Sequence, residues 1–297
     1  MHFSSRFHKS IVKEKKIIDT DKVFKLNKKK EIILPLGTCF LDIFSTALQQ
    51  KKYNVLFNKT PNVIVNNHLR FFFGNFYNPV NLLDCLERIV LKKWYFKNRD
   101  YVYSKEFGHY INLHLKARFK TKNLILLKDR IKEIDSYLVK EIKKATVILL
   151  SFETNEVWID KLSKKTWYSF YGNLFNQKCY NNRAQLKVLN CEDIKNIISK
   201  IIKILNKFGK KKIILMTSPN KLWSTYQNKD IEISDSYSKS TYTAAFNDLL
   251  SRNVSYFPAI EIFNNLDEKK KYRKDMLHVS LGTAANILEP YLKKMYF

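Results

Sequence analysis

Five short apolar runs alternate with segments whose apolar residues fall at helical spacing, and this alternation constrains the chain more than any other feature. The runs are 31–36, Tyr53–Phe57, Thr146–Leu150, Ile213–Thr217 and Val254–Phe257. The intervening segments include Phe40, Ile43, Phe44, Ala47 and Leu48, then Leu82, Leu83, Leu86 and Ile89, then Ile131, Ile134, Leu138 and Ile142. Further on come Ile194, Ile197, Ile198, Ile201, Leu205 and Phe208, then Tyr242, Ala245, Phe246, Leu249 and Leu250. The runs are continuous in their hydrophobicity, as strands buried on both faces require. The pattern predicts an α/β fold with a mostly parallel five-stranded sheet and helices on both faces.

Local signals refine the boundaries. Asn78-Pro79 predicts a helix start, because Asn caps well and Pro suits the first helical position. Gly209 suits a helix C-terminus, and Lys210 to Lys212 would complement the negative end of that helix's dipole. Two aromatic stretches, 92–127 and 160–189, break the alternation and read as excursions packed on the main body. Residues 1–30 hold nine lysines between Lys9 and Lys30 and show little periodicity. They read as a basic arm, leaving 31–297 as one domain.

The first run ends on Gly37 and Thr38 and leads directly into a helix. In a parallel sheet, that position lies over the crevice where ligands bind. It also lies at a helix N-terminus, whose outward N–H groups favour an anion. Thr38 is therefore either a helix N-cap or a nucleophile whose oxyanion those N–H groups would hold. Near the C-terminus, Asp275 precedes His278 by three residues. That spacing fits a carboxylate orienting an imidazole for proton transfer, and equally a surface ion pair. His109 and His114 are five apart, so they do not form the helical metal pair that four-residue spacing gives.

Composition excludes some classes. The 297 residues suffice for a large core, with 45% hydrophobic content. The N-terminal stretch lacks the continuous apolar segment of a secretory signal, and no run is long enough to span a bilayer. The formal charge is +27, from 54 basic minus 27 acidic residues. The lysines are dispersed, however, which fits a general Lys/Asn/Ile bias better than a nucleic-acid interface. Cys39, Cys85, Cys179 and Cys191 form no C-x-x-C pair, which argues against structural zinc and for a reducing, cytoplasmic setting.

Several pieces, taken in order, resemble a known family. They are Leu36-Gly37-Thr38-Cys39-Phe40, Gly74-Asn75-Phe76-Tyr77-Asn78-Pro79, Thr217-Ser218-Pro219, Ser236 to Ser240, Tyr256 to Ile262, and Asp275-Met276-Leu277-His278. The ordered set is similar to the GSCFA family of the SGNH/GDSL-type hydrolase superfamily. The resemblance implies a flavodoxin-like three-layer α/β/α fold. It implies hydrolysis or acyl transfer on a small-molecule or glycan ester, without metal or organic cofactor. By position, Thr38 matches the nucleophile, and His278 with Asp275 the acid–base pair. The Thr38 and Gly74 N–H groups and the Asn155 amide match the oxyanion donors. Two residues depart from the pattern. Threonine replaces serine at 38, adding a β-methyl that stiffens χ1. Glu153 replaces a glycine, adding bulk and negative charge beside the oxyanion position. Cys39 is expected to face away from the rim. The alternative reading is a catalytically retired module that binds an acylated or glycan ligand.

Overall fold

The computed structural model describes residues 24–56, 76–104, 108–115, 121–168, 182–266 and 271–297. Four parallel strands form the central sheet: β1 (Ile33–Gly37), β4 (Val147–Phe152), β8 (Lys212–Thr217) and β9 (Val254–Tyr256), adjacent in that order. The hairpin strands β2 (Tyr101–Ser104) and β3 (His109–Asn112) pair antiparallel. A second antiparallel sheet orders β6 (Thr166–Trp167), β5 (Glu156–Asp160) and β7 (Ala184–Val188). The hairpin falls within the first aromatic stretch, and the second stretch supplies β6 and β7, whereas β5 ends where that stretch begins.

The sheet is covered on both sides, and side-chain alternation shows how. Ile148, Leu150 and Phe152 face one cluster together with Leu34, Leu36, Ile213 and Leu215. That cluster is closed by α2 (Pro79–Ile89), α3 (Leu124–Lys144), α4 (Cys191–Leu205) and α5 (Ile231–Asn247). Val147, Leu149, Ile214 and Met216 face the opposite cluster. There α1 (Cys39–Gln50), α6 (Ala259–Asn264), α7 (Leu281–Thr283) and α8 (Glu289–Tyr296) supply the cover. Strand residues alternate faces with a period of two, so one apolar run feeds both cores. Phe44 stacks between Phe40 at 5.6 Å and Phe257 at 6.0 Å, which anchors α1 to the sheet.

The sequence signals mostly mark real boundaries. The Asn78 side chain accepts the Asn81 N–H at 3.0 Å, with Pro79 opening the helix. Gly209 has φ 96°, a left-handed conformation that glycine adopts without penalty. The final helical stretch contains a π-helical turn at Ala284–Leu288, just before Pro290. Proline lacks an N–H and crowds the preceding turn, so the widened turn is the expected adjustment.

Three expectations need correction or restriction. The sheet of the described residues has four strands, not five. The stretch expected as Tyr53–Phe57 contributes a single parallel bridge, Val55 to Ile33. Asn54 O and the Leu56 N–H bond to the two sides of Ile33 at 2.9 and 2.8 Å, so the contact is one residue long. Lys211 does not serve its own helix. It is buried, and its Nζ donates to Ala145 O at 2.6 Å and Lys143 O at 3.2 Å, carbonyls at the end of α3. Residues 1–23 of the basic arm lie outside the described residues. The arm's end is packed: Leu26 is buried and its N–H donates to Tyr296 O.

One position fixes where β1 can end. A Cβ on Gly37 would lie 2.1 Å from Ser151 O and 2.8 Å from Ser151 N. Both are backbone atoms of the paired strand and cannot swing aside. Gly37→Ala is therefore expected to destabilise the protein by about 1–3 kcal/mol or more, the usual cost of overpacking. Urea unfolding with unchanged midpoint and slope would refute this reading of the contact.

Candidate active site

The carboxyl ends of β1, β4 and β8 form one edge. Register pairs Gly37 with Ser151 and Phe152 with Thr217. Thr38, Glu153 and Ser218 are the next residues along, and so share that edge.

Thr38 precedes α1 with extended backbone (φ −79°, ψ 175°) and makes no side-chain capping bond. Its N–H donates to Ser151 O at 3.1 Å. Its Oγ1 is fully buried and has no hydrogen-bond partner among the described residues. The cap position is thus occupied, but the hydroxyl does not cap.

Asp275 and His278 form a built pair. His278 Nδ1 lies 2.8 Å from Asp275 Oδ2. Asp275 Oδ1 accepts the N–H groups of Leu277 and His278, each at 2.9 Å. Met276, at φ 57°, turns the chain through the left-handed region so that both N–H groups point back at the carboxylate. The His278 N–H, the Leu277 N–H and then the imidazole hold the Asp275 carboxyl down at about 2. The imidazole is partly open, with 33% of its side chain exposed, whereas Thr38 is closed. The sheet edge thus carries an accessible base and an inaccessible hydroxyl.

Asn220 joins the two. It is buried, and its Nδ2 donates to Cys39 Sγ at 3.2 Å. Its Oδ1 accepts the Val279 N–H at 2.9 Å. The Lys221 N–H donates to Leu277 O at 3.1 Å. The neighbour of Thr38 and both neighbours of His278 are therefore held by residues 220 and 221. Nothing in the sequence patterns above singles out Asn220. A polar residue directly beyond a strand end was the available signal. The expectation that Cys39 faces away from the rim is also corrected, since its thiol meets Asn220.

Glu153 brings bulk to this edge, but not charge at neutral pH. Burial raises its carboxyl to about 8, with Asp235 adding to the rise. Lys239 and hydrogen bonds to Ser218 and Asn220 work in the opposite direction. Ser218 Oγ lies 3.3 Å from Glu153 Oε2. A carboxyl this far removed from water keeps its proton because the charged form is poorly solvated.

The expected oxyanion donors are differently placed. Asn155 is fully buried, its Nδ2 donating to Leu189 O at 2.9 Å and its Oδ1 accepting from Ser238 Oγ at 2.6 Å. Those bonds tie the start of β5 to the end of β7 and to α5. The Thr38 N–H is engaged by Ser151, as above. Gly74 lies outside the described residues.

A separate buried group has the donor types of a cation site. Asp100, His114 and Asp160 place one ligand atom each within 4.8 Å of one another. Arg183 already supplies the cation: its Nη2 lies 3.1 Å from Asp100 Oδ1 and 2.6 Å from Asp160 Oδ2. Burial alone would raise the Asp160 carboxyl, but Arg183, Leu162 N–H and Ser163 outweigh it and hold it at about 2. His114 Nδ1 lies 2.8 Å from Thr166 O, a structural bond between the hairpin region and β6.

The GSCFA family profile matches residues 32–291. The chain belongs to the GSCFA family. The match runs from the residue before β1 into α8 and so spans Thr38, Glu153, Asn220, Asp275 and His278. No curated protein matches the sequence.

The buried acid gives this GSCFA protein a pH-dependent stability. The Glu153 carboxyl is raised from 4.5 to about 8 in the fold, so the folded state holds the proton more tightly than the unfolded chain. Its stabilising contribution is full below about 4.5, declines as pH rises, and is gone above about 8. Glu153→Gln removes that decline. Thermal unfolding at pH 5, 7 and 9 is expected to show the variant's melting temperature rising relative to wild type as pH increases; parallel curves would refute it.

Proposed function

We propose that this protein is an SGNH-type ester hydrolase or acyltransferase. One observation carries the reading: an Asp275–His278 pair with catalytic geometry is tied, through Asn220, to the helix start beside Thr38. The topology supports it as well. With the Val55 bridge counted as an edge strand beside β1, the parallel order becomes 2-1-3-4-5, the flavodoxin-like order. A three-layer single domain over 31–297, with a basic arm before it, belongs to the same proposal.

In this reaction Thr38 Oγ1 attacks the acyl carbon while His278 Nε2 takes its proton. Asp275 fixes the tautomer by accepting from Nδ1 and stabilises the imidazolium that forms. The positive end of α1 and the N–H groups of Thr38 and Gly74 hold the oxyanion. The Thr38 N–H must then be shared with or released from Ser151. The Asn155 amide, spent on Leu189, would act by fixing the loop rather than by touching substrate. The intermediate collapses as His278 Nε2 gives that proton to the departing alcohol, leaving the acyl group on Thr38. His278 then takes a proton from water or a sugar hydroxyl as its oxygen attacks the acyl carbon, and passes it to Thr38 Oγ1 as the acyl group leaves. The chemistry needs no metal or organic cofactor. The substrate is a small-molecule or glycan ester met in the cytoplasm. Nucleic acid is disfavoured, because many lysines are spent locally, as in Lys165 with Asp84 and Glu87, and Lys239 with Asp235. Among the described residues, no helix is long and apolar enough to cross a membrane.

A second reading, a retired catalyst that binds an acylated or glycan ligand, is favoured by the Thr38 hydroxyl, which is buried and unpartnered. Short acyl esters and a fluorophosphonate probe separate the two. On the first reading wild type turns over ester and is labelled at residue 38, Thr38→Ala falls to background, and His278→Ala loses on the order of a hundredfold or more. Turnover and labelling that appear only in Thr38→Ser would establish the second.

A further inference from the structure

Turn residues after β8 hold both halves of the site, and one side chain there spans them. Asn220 donates from Nδ2 to Cys39 Sγ at 3.2 Å, one residue from Thr38. It accepts at Oδ1 from the Val279 N–H at 2.9 Å, one residue from His278. The adjacent Lys221 N–H takes the Leu277 carbonyl at 3.1 Å, so His278 is pinned on both flanks. The carboxamide is almost wholly buried, where an amide that lost either partner would incur a desolvation penalty. Below it, the Asn220 N–H donates to Ser218 Oγ at 3.3 Å, and that hydroxyl meets Glu153.

We propose that Asn220 is the positioning residue of this site, its single carboxamide setting the gap between the Thr38 hydroxyl and the His278 imidazole. The inference rests on the acyl-transfer reading of those two residues. Asn220 touches neither reacting atom. It acts by holding the start of α1 and the His278 loop in one frame, and misplacement near 1 Å at such a junction costs about a hundredfold in rate. The residue type fits the task. A carboxamide offers a donor and an acceptor from one planar group without adding charge. An aspartate would keep the acceptor but lose the donor, and would lie beside Glu153.

Full-length protein carries the test, with amide hydrogen exchange read alongside ester turnover. Asn220→Ala is expected to speed exchange at the Val279 N–H at least tenfold and leave Ile214, inside the sheet, unchanged. The same variant is expected to lower kcat at least tenfold with KM within twofold, the split that marks lost alignment rather than lost binding. Cys39→Ala, which removes the other anchor, should lower kcat while Val279 stays protected. The double variant should be no worse than Asn220→Ala, because both changes cut one link. Should Asn220→Ala fail to fold, Asn220→Asp replaces it: it keeps the acceptor for Val279 and loses the donor to Cys39, so kcat is expected to fall at least tenfold with Val279 still protected, and an unchanged kcat overturns the inference. Unchanged Val279 exchange in Asn220→Ala overturns the inference whatever the turnover, and so do additive losses in the double variant. A wild type inert toward every acyl ester refutes the acyl-transfer reading instead, and the Val279 exchange result still decides whether the bridge exists.

Discussion

The approach of β1 to β4 at Gly37 is the contact on which the rest of the site depends. A hydrogen atom is all that fits between the Gly37 Cα and the Ser151 backbone. Because the strands close so tightly there, the ladder continues one step further, and the Thr38 N–H reaches Ser151 O. That extra bond fixes the direction in which α1 departs. It also brings Cys39 within reach of Asn220, across the carboxyl edge of β4. A larger residue at 37 would push the strands apart just where the helix start, the Glu153 carboxyl and the turn after β8 meet.

The edge so formed combines a low-dielectric floor with a hydrated opening. Glu153, Ser218 and Asn220 are buried, and their polar groups are satisfied largely by one another. Asp275 and His278 stand partly in solvent, and the loop that carries them is held by backbone and carboxamide bonds together with the fully buried Val279 side chain. Directional bonds define geometry more sharply than apolar contact does, and they lose value steeply with distance and angle. A surface loop is thereby given a fixed relation to the sheet. A neutral Glu153 spares the site an anion next to the place where negative charge would develop.

A second polar centre serves the architecture. Asp100, Asp160 and Arg183 link the hairpin to the smaller sheet, and His114 ties the hairpin region to Thr166. Breaking one member would strand a buried charge, which is far more costly than never having placed the group there. The two small sheets are thus joined to each other by a charge network, and β6 is tied to α2 where Thr166 and Lys165 meet Asp84, whereas the four-stranded sheet is held by two apolar layers.

The periodicity of apolar residues determined the fold class, the strand–helix alternation and most helix boundaries. Burial on two faces leaves a continuous apolar run, burial on one face of a helix leaves a 3.6-residue stripe, and both are written in the chain directly. Asn78-Pro79 and Gly209 were legible for the same reason, since capping and left-handed backbone are properties of one or two neighbouring residues. The spacing of Asp275 and His278 likewise foretold a pair that bonds locally. Tertiary structure alone decided the remainder. Val55 contributes a bridge instead of a strand, Lys211 serves α3 rather than α4, Cys39 turns toward Asn220, and Asn155 is consumed by Leu189 and Ser238. Each of these depends on a partner distant in the chain, up to 181 residues away. Which long-range partner a polar group finds, and how much water remains around it, is set by packing geometry that no local pattern encodes.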